Sequence, residues 1–385
     1  MITRERGILI TLTVLALSGT GVLARHTADA ATIPPVGIHR ALTAGDDGVV
    51  TIQFLGDTML GDGAEDTVTT DAARLTALMA GFADGDISIA NAEGPITDRE
   101  VRSGLGTRAY AYASQPKVAG VLAATGVDIF SLANNHSMDV GLDGLRDTQR
   151  LLADAGVLTW GAGATAAEAE VPLLLDTPNG TIGVLAVGED FGSDRRATAT
   201  TPGTIPATPQ RLQRGVDLAR AAGADLVVAF VHWGDNYQPV NDEQRSVARM
   251  LVDAGVSLVV GTGPHVTQPV EVIDGVPIAW SLGNFVFTTP GRFAGYSAEG
   301  YGLSLTLVIG ADGSTRFDWR CLVTDNLRTD YQARPCTPSE TLHVLPFLNS
   351  SLTVAGTVGT MPSPLRLKPA PGYAAPTTTS SGASP

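Results

Sequence analysis

A layered α/β fold is predicted by two features of the chain. From residue 51 to about residue 262, apolar runs of strand length alternate with stretches in which Leu, Ala and Met recur at helical spacing. From Val276 onward the strands are instead joined directly by turns, as in Tyr301 to Ile309 and Thr315 to Val323 on either side of Ala311-Asp312-Gly313-Ser314. The first part implies crossover helices and parallel strands, the second antiparallel pairs. Either one mixed sheet or two stacked sheets follows.

The bulk properties set limits. With 385 residues, 44% hydrophobic and 17% charged, the chain can bury a sizeable core. Its formal charge of -14 and the lack of any basic cluster exclude a nucleic-acid-binding surface. The same charge repels an anionic polymer at long range, so an anionic substrate requires local Arg or a bound metal.

Taken in order, the chain opens with Arg4 and Arg6 before an uncharged, mostly apolar run from Gly7 to Ala24. Residues 1–30 read as an export signal. It is either cleaved after Ala28-Asp29-Ala30 or kept as an N-terminal membrane anchor with its amino end inside. Residues 31–48, with Pro34-Pro35, read as a linker, and residues 49–345 as the folded domain.

The first strand, Thr51 to Leu55, runs into Gly56-Asp57. A helix over Asp71 to Phe82 leads to a second strand, Asp86 to Ala90, which ends in Asn91-Ala92-Glu93. Thr97 to Ser114 carries Arg99, Arg102, Arg108, Tyr110 and Tyr112. It reads as a solvated loop or as an active-site loop that meets an anion. A helix over Lys117 to Thr125 delivers the strand Val127 to Phe130, followed by Asn134-Asn135-His136.

A helix from Leu142 to Ala155 stops at Gly156, and Thr181 to Val187 is a buried strand. The low-periodicity insert from Asp190 to Thr208 is placed to cover a crevice. Helices over Gln210 to Ala222 and Asp242 to Ala254 precede strands that end in His232-Trp233-Gly234 and in Gly261-Thr262-Gly263-Pro264-His265. Pro277 to Phe285 reads as one strand. Cys321 and Cys336 are the only cysteines, and in an exported chain they suggest a disulfide contributing roughly 3 kcal/mol. Residues 346–385, rich in Pro, Thr and Ser from Met361, read as a disordered tail.

Strand ends of an open α/β sheet line one crevice, so Asp57, Glu93, Asn135, His136, His232 and His265 form one candidate site. Carboxylates that bridge cations, with amide and imidazole donors that add no charge, suit a dinuclear metal centre. There Asp57, Glu93, Asn135, His232 and His265 are ligands and His136 is a general acid. Neither Ser131 nor Ser281 sits in a nucleophile elbow, and the glycines around Asp57 lack the Lys-Ser/Thr of a phosphate-cradling loop. A glycosidase built on Asp57 and Glu93 leaves the histidines without a task.

In these segments the sequence resembles the CapA family of poly-γ-glutamate capsule synthesis proteins, whose domain is similar to the calcineurin-like metallophosphoesterases. The elements are Gly56-Asp57-Thr58-Met59, Asn91-Ala92-Glu93, Leu132 to Gly141, His232-Trp233-Gly234 and Ser281 to Phe285, within a match from Val49 to about Val323. The resemblance implies a metallophosphoesterase-like four-layer sandwich, two stacked mixed β-sheets flanked by helices. It also implies an exported protein, extracellular or anchored at the outer face of the membrane, that serves synthesis or export of poly-γ-glutamate or a related anionic polymer. Membrane-embedded capsule synthesis subunits would be its partners.

By that resemblance Asp57, Glu93 and His265 hold one divalent ion and Glu93, Asn135 and His232 a second, manganese, zinc or iron, with His136 as acid. The chain departs from the pattern at three positions. Gly263 and Met59 stand where histidines are expected, and Asn236 stands where the family has Glu. Two ions, one or none are compatible with the set that is left. Two further readings are an extracellular metal-dependent hydrolase, acting on a phosphoester or on an amide of cell-wall peptide or polyglutamate, and a non-catalytic binding module on the same fold.

Overall fold

Alternation of side chains along each strand decides the architecture. In the strand Val50–Met59, Ile52 and Phe54 enter one apolar cluster while Leu55 enters another. In Leu226–His232, Val228 and Phe230 join the first cluster, and Val227, Ala229 and Val231 join a third. Strands that are apolar on both faces must be covered on both faces. The computed structural model describes residues 37–61, 67, 70–100, 111–289, 292–296 and 298–368.

Two mixed sheets account for most of these strands. One has seven strands in the order Ile38–Ala41, Leu173–Thr177, Gly180–Gly188, Leu226–His232, Leu258–Thr262, Val276–Ala279 and Val270–Ile273. The other has ten. Its main path runs Thr353–Ala355, Val358–Arg366, Ser314–Val323, Tyr301–Ile309, Val50–Met59, Ile87–Ala92, Ile129–Ser131 and Leu158–Trp160, and Asn284–Phe287 and Arg334–Pro335 pair beside it.

The sheets stack through the first cluster, where the Phe54 ring lies 6.0 Å from Phe230 and Trp160 lies 6.3 Å from Phe230. On the outer face of the ten-stranded sheet lie Ala72–Met79, Val118–Ala123 and Gly141–Asp154, through Leu75, Leu122 and Leu152. On the outer face of the seven-stranded sheet lie Pro209–Ala221 and Asp242–Ala254, through Leu212, Val216 and Leu251. Helix, sheet, sheet, helix is the four-layer sandwich expected from the sequence.

Local chemistry sets the element ends. The helix Asp242–Ala254 begins at a capping box, in which Gln244 N–H donates to Asn241 Oδ1 and Asn241 N–H to Gln244 Oε1, and it stops at left-handed Gly255. The helix expected over Asp71 to Phe82 is a 3₁₀ segment, Ala72–Met79, with no side-chain cap at Asp71. Cys321 and Cys336 are joined by a disulfide, with Cα atoms 5.5 Å apart.

Three sequence expectations need correction. Residues 31–48 are not all linker, since Ile38–Ala41 pairs in parallel with Leu173–Thr177; a four-residue edge strand with two polar side chains leaves little periodic signal. The tail does not start at residue 346. Thr353–Ala355 and Val358–Arg366 form a hairpin on the ten-stranded sheet, with Met361, Leu365 and Leu367 buried. Pro362 and Pro364 are unsuited to a central strand, but Thr353–Ala355 covers only residues 358–360, so both prolines lie on an open edge that needs no donor.

The third correction concerns Pro277 to Phe285. It is two strands in different sheets, Val276–Ala279 and Asn284–Phe287. The expected export signal, residues 1–30, and the end of the tail, 369–385, lie outside the described residues, as do Arg102 and Arg108. Among the described residues no helix is long and apolar enough to cross a membrane.

Candidate metal centre

Gly56 is where the crevice begins. A Cβ there would stand 1.9 Å from Gly283 O, so only glycine lets the Asn284 segment run beside Asp57, whose N–H donates to Gly283 O at 3.0 Å. The register against Ile87–Ala92 shifts between Phe54 and Asp57, and this bulge turns Asp57 into the crevice. Glu93 follows the next strand and is held by its N–H on Thr58 O at 2.8 Å.

Buried amides tie these two carboxylates to the histidines. Asn134 Nδ2 donates to Asn91 Oδ1 at 3.0 Å and to Ala92 O at 2.7 Å. So fixed, Asn91 Nδ2 donates to Asp57 Oδ1 at 2.8 Å and lies 3.1 Å from His232 Nδ1. Gly263 N–H donates to Asp57 Oδ2 at 2.9 Å. His265 takes a left-handed backbone, φ 59°, and its Nδ1 lies 3.0 Å from Asn284 Oδ1. With the Nδ1 proton on that acceptor, Nε2 is the nitrogen that faces the pocket, and it can ligate a cation once its own proton is displaced.

Glu93 is the hub. Its Oε1 lies 3.7 Å from His265 Nε2, 3.8 Å from His136 Nε2 and 3.9 Å from His232 Nε2. Asp57 meets the Nδ1 atoms of His232 and His265, each at 3.5 Å. Burial on its own raises the Asp57 carboxyl, but hydrogen bonding and charge from His232 and His265 outweigh it and hold the group well below the usual carboxylate range. Burial likewise opposes protonation of the two imidazoles. The Glu93 charge, followed by Asp57, overrides it, raising His232 and pushing His265 up to about 9.

His136 is held separately. Its Nδ1 lies 2.7 Å from Oδ2 of the fully buried Asp139, which also accepts Tyr112 N–H at 2.9 Å, and the Tyr112 ring stands edge-on at 4.8 Å. From the insert, Phe191 sets its ring 5.9 Å from that of His232. Arg99 does not reach this pocket's donors. It pairs with Asp147 at 2.7 Å and Asp143 at 3.6 Å on the helix Gly141–Asp154.

The donor set fits a cation. Donor atoms of Asp57, Glu93 and His265, all buried, lie within 4.8 Å of one another. Glu93 Oε2 and Asn135 Oδ1 are buried oxygens without a hydrogen-bond partner, an expensive arrangement unless a positive centre is met there. The structure thus gathers Asp57, Glu93, His136, His232 and His265 into one cluster. Asn135 adds an orphaned oxygen next to His136 in sequence.

Sequence reasoning gave no role to Asn91, Asp139, Gly263 or Asn284. Each lies inside or beside a motif already singled out, but only Asn91, a lone amide at the end of an apolar strand, carried a signal of its own.

A sequence model of the bacterial capsule synthesis protein PGA_cap matches residues 51–289. The chain belongs to this family. It is 33% identical over 245 residues to the PGA biosynthesis protein CapA of Bacillus subtilis (strain 168), covering 63% of this chain and 64% of that one. It is 32% identical over 166 residues to the capsule biosynthesis protein CapA of Bacillus anthracis, covering 42% and 40%. The alignments thus span less than two thirds of either relative's length.

Among solved structures, the NAD nucleotidase of Haemophilus influenzae superposes with a TM-score of 0.38 at 11% identity over 78% of this chain and 62% of that one, too distant to bear on function. Every residue of the pocket lies inside the PGA_cap match, and the strands from Tyr301 onward lie beyond it.

Proposed function

We propose that this PGA_cap protein acts in the synthesis of poly-γ-glutamate or a related anionic envelope polymer. It works at the outer face of the cell membrane, alongside membrane-embedded synthesis subunits. Family membership and the two CapA relatives support the polymer. Export rests on the basic opening and the apolar run from Gly7 to Ala24. The observation that carries the reading is the buried Asp57, Glu93 and His265 triad, because a chain of charge -14 needs a local positive centre to hold an anionic substrate.

In this reading Asp57, Glu93 and His265 hold a divalent cation, with His232 and Asn135 beside them. Such a cation, when bound, polarises a carbonyl or phosphoryl oxygen. The protein's own groups do the remaining work. Asp139 takes the Nδ1 proton of His136 in a hydrogen bond and fixes the ring, which leaves Nε2 to hold a proton or release it to a leaving atom. The Tyr112 ring packs against His136 and the Phe191 ring against His232. The His136–Asp139 pair favours a second reading, metal-dependent hydrolysis of an amide or phosphoester, within the same pocket.

Deletion of the gene in its own bacterium, with assay of surface polyglutamate, tests the role. Polymer is expected to fall, and to return with the wild-type gene but not with Asp57→Asn. Unchanged polymer on deletion would sink the proposal. Purified protein incubated with manganese and poly-γ-glutamate or an aryl phosphate tests hydrolysis, in which turnover must disappear in His136→Ala.

A further inference from the structure

The reading of this pocket as a cation site also bears on how many ions it takes, and charge comes first. A buried dication is stable where formal negative charge compensates it. Among the described residues the pocket has two carboxylates, Asp57 at 0% exposure and Glu93 at 3%. Two further acids lie nearby and are committed elsewhere: Asp139 to His136 Nδ1 and Tyr112 N–H, and Glu189, beyond His232, to Gly234 N–H at 3.0 Å. Two carboxylates neutralise one divalent cation. A second would leave its charge among neutral amides and imidazoles.

Ligand supply leads to the same count. Both oxygens of Asp57 already accept a hydrogen bond, from Asn91 Nδ2 and from Gly263 N–H, which reduces its capacity to bridge. His232 Nδ1 lies 3.1 Å from Asn91 Nδ2, a donor, whereas His265 Nδ1 meets the acceptor Asn284 Oδ1; the lone pair of His232 is thus spent on Asn91 and its proton stays on Nε2, the nitrogen that faces Glu93. Residue 263 cannot supply a side chain, since its φ is +114° and a Cβ would stand 2.3 Å from Trp233 O. Met59, two residues beyond Asp57 on the same strand, spends its soft sulfur on Gly61 N–H at 3.0 Å.

We propose that the pocket binds a single divalent cation through Asp57, Glu93 and His265, with His232 outside the coordination shell as a positioning residue for the carboxylates. Three protein ligands leave a coordination position open to an anionic group of the substrate.

The test uses the exported chain, stripped with chelator, loaded with manganese and desalted. Elemental analysis is expected to give about one manganese per chain, and electron paramagnetic resonance a magnetically isolated Mn(II) signal. His232→Gln keeps the ion, and His265→Gln loses it. Two ions per chain, a spin-coupled pair, or loss of the ion in His232→Gln overturns the single-ion assignment while leaving a cation pocket in place. No ion in the wild type overturns both. Circular-dichroism melting identifies a variant that has not folded, and the wild-type stoichiometry decides without one.

Discussion

The crevice end of the molecule and the antiparallel block from Tyr301 to Arg366 bury different kinds of groups. At the crevice Asp57, Asn91, Glu93, Asn134, Asp139, His232, His265 and Asn284 are all buried, and Glu93 and Asn135 keep unpartnered oxygens. In the block, Leu303, Leu305 and Leu307 pair across the ladder with Cys321, Trp319 and Phe317, charged pairs such as Arg316–Asp318 stay at the surface, and the unpartnered buried atoms are the uncharged Trp319 Nε1 and Thr324 Oγ1. Buried polar groups that are only partly satisfied cost stability, whereas apolar cross-strand pairs supply it. The two regions divide the labour: the block and the shared core stabilise a fold whose crevice concentrates buried charge.

The largest effect should come from the core that both regions share. Phe54→Ala or Phe230→Ala removes a ring from between the sheets and is expected to cost about 3–5 kcal/mol, read by urea unfolding. If either variant keeps wild-type stability, the stacked-sheet core is wrong. Next, breaking the Cys321–Cys336 bridge with paired serines should cost about 3 kcal/mol in unfolding free energy. Manganese stoichiometry should not change, and a lost ion would mean that the block is part of the site.

Smaller still is the effect of a residue behind the ligands. Asn284→Ala frees His265 Nδ1 and is expected to weaken manganese binding about 10–100-fold by titration calorimetry, with little change in melting temperature. Unchanged affinity would remove Asn284 from the centre.

The smallest effect lies at the surface of the block. Glu340, hydrogen-bonded first by Arg334, has its carboxyl lowered from an ordinary 4.5 to about 2. A depressed acid contributes stability that is present above 4.5 and is lost as pH falls through about 2. Glu340→Gln keeps the capping box with Thr337 and should cost about 1 kcal/mol at pH 7. The gap should shrink below pH 4.5 and vanish near pH 2. A gap that persists there would show that shape, not charge, is at work.

Strand ends were legible because an apolar run that stops abruptly at Asp57, Glu93, His232 or His265 marks a point where the chain delivers polar chemistry to a crevice. The helix Asp242–Ala254 was legible to its ends, since Asn241 and Gly255 are strong punctuation. Other features were hidden for identifiable reasons. Ile38–Ala41 is short and half polar, Val358–Arg366 carries two prolines, and the switch of sheet at Trp280–Gly283 is marked only by Ser281 and Gly283 between two apolar runs. Asp139 and Asn284 were invisible as positioning groups because their partners are fixed only by the fold.

Leu282 belongs to both layers at once. Its N–H donates to Gly261 O in one sheet, and its carbonyl accepts Leu303 N–H from the other. One peptide segment thus rivets the two layers beside Asp57 and His265, so a clamshell opening between them would have to tear main-chain bonds.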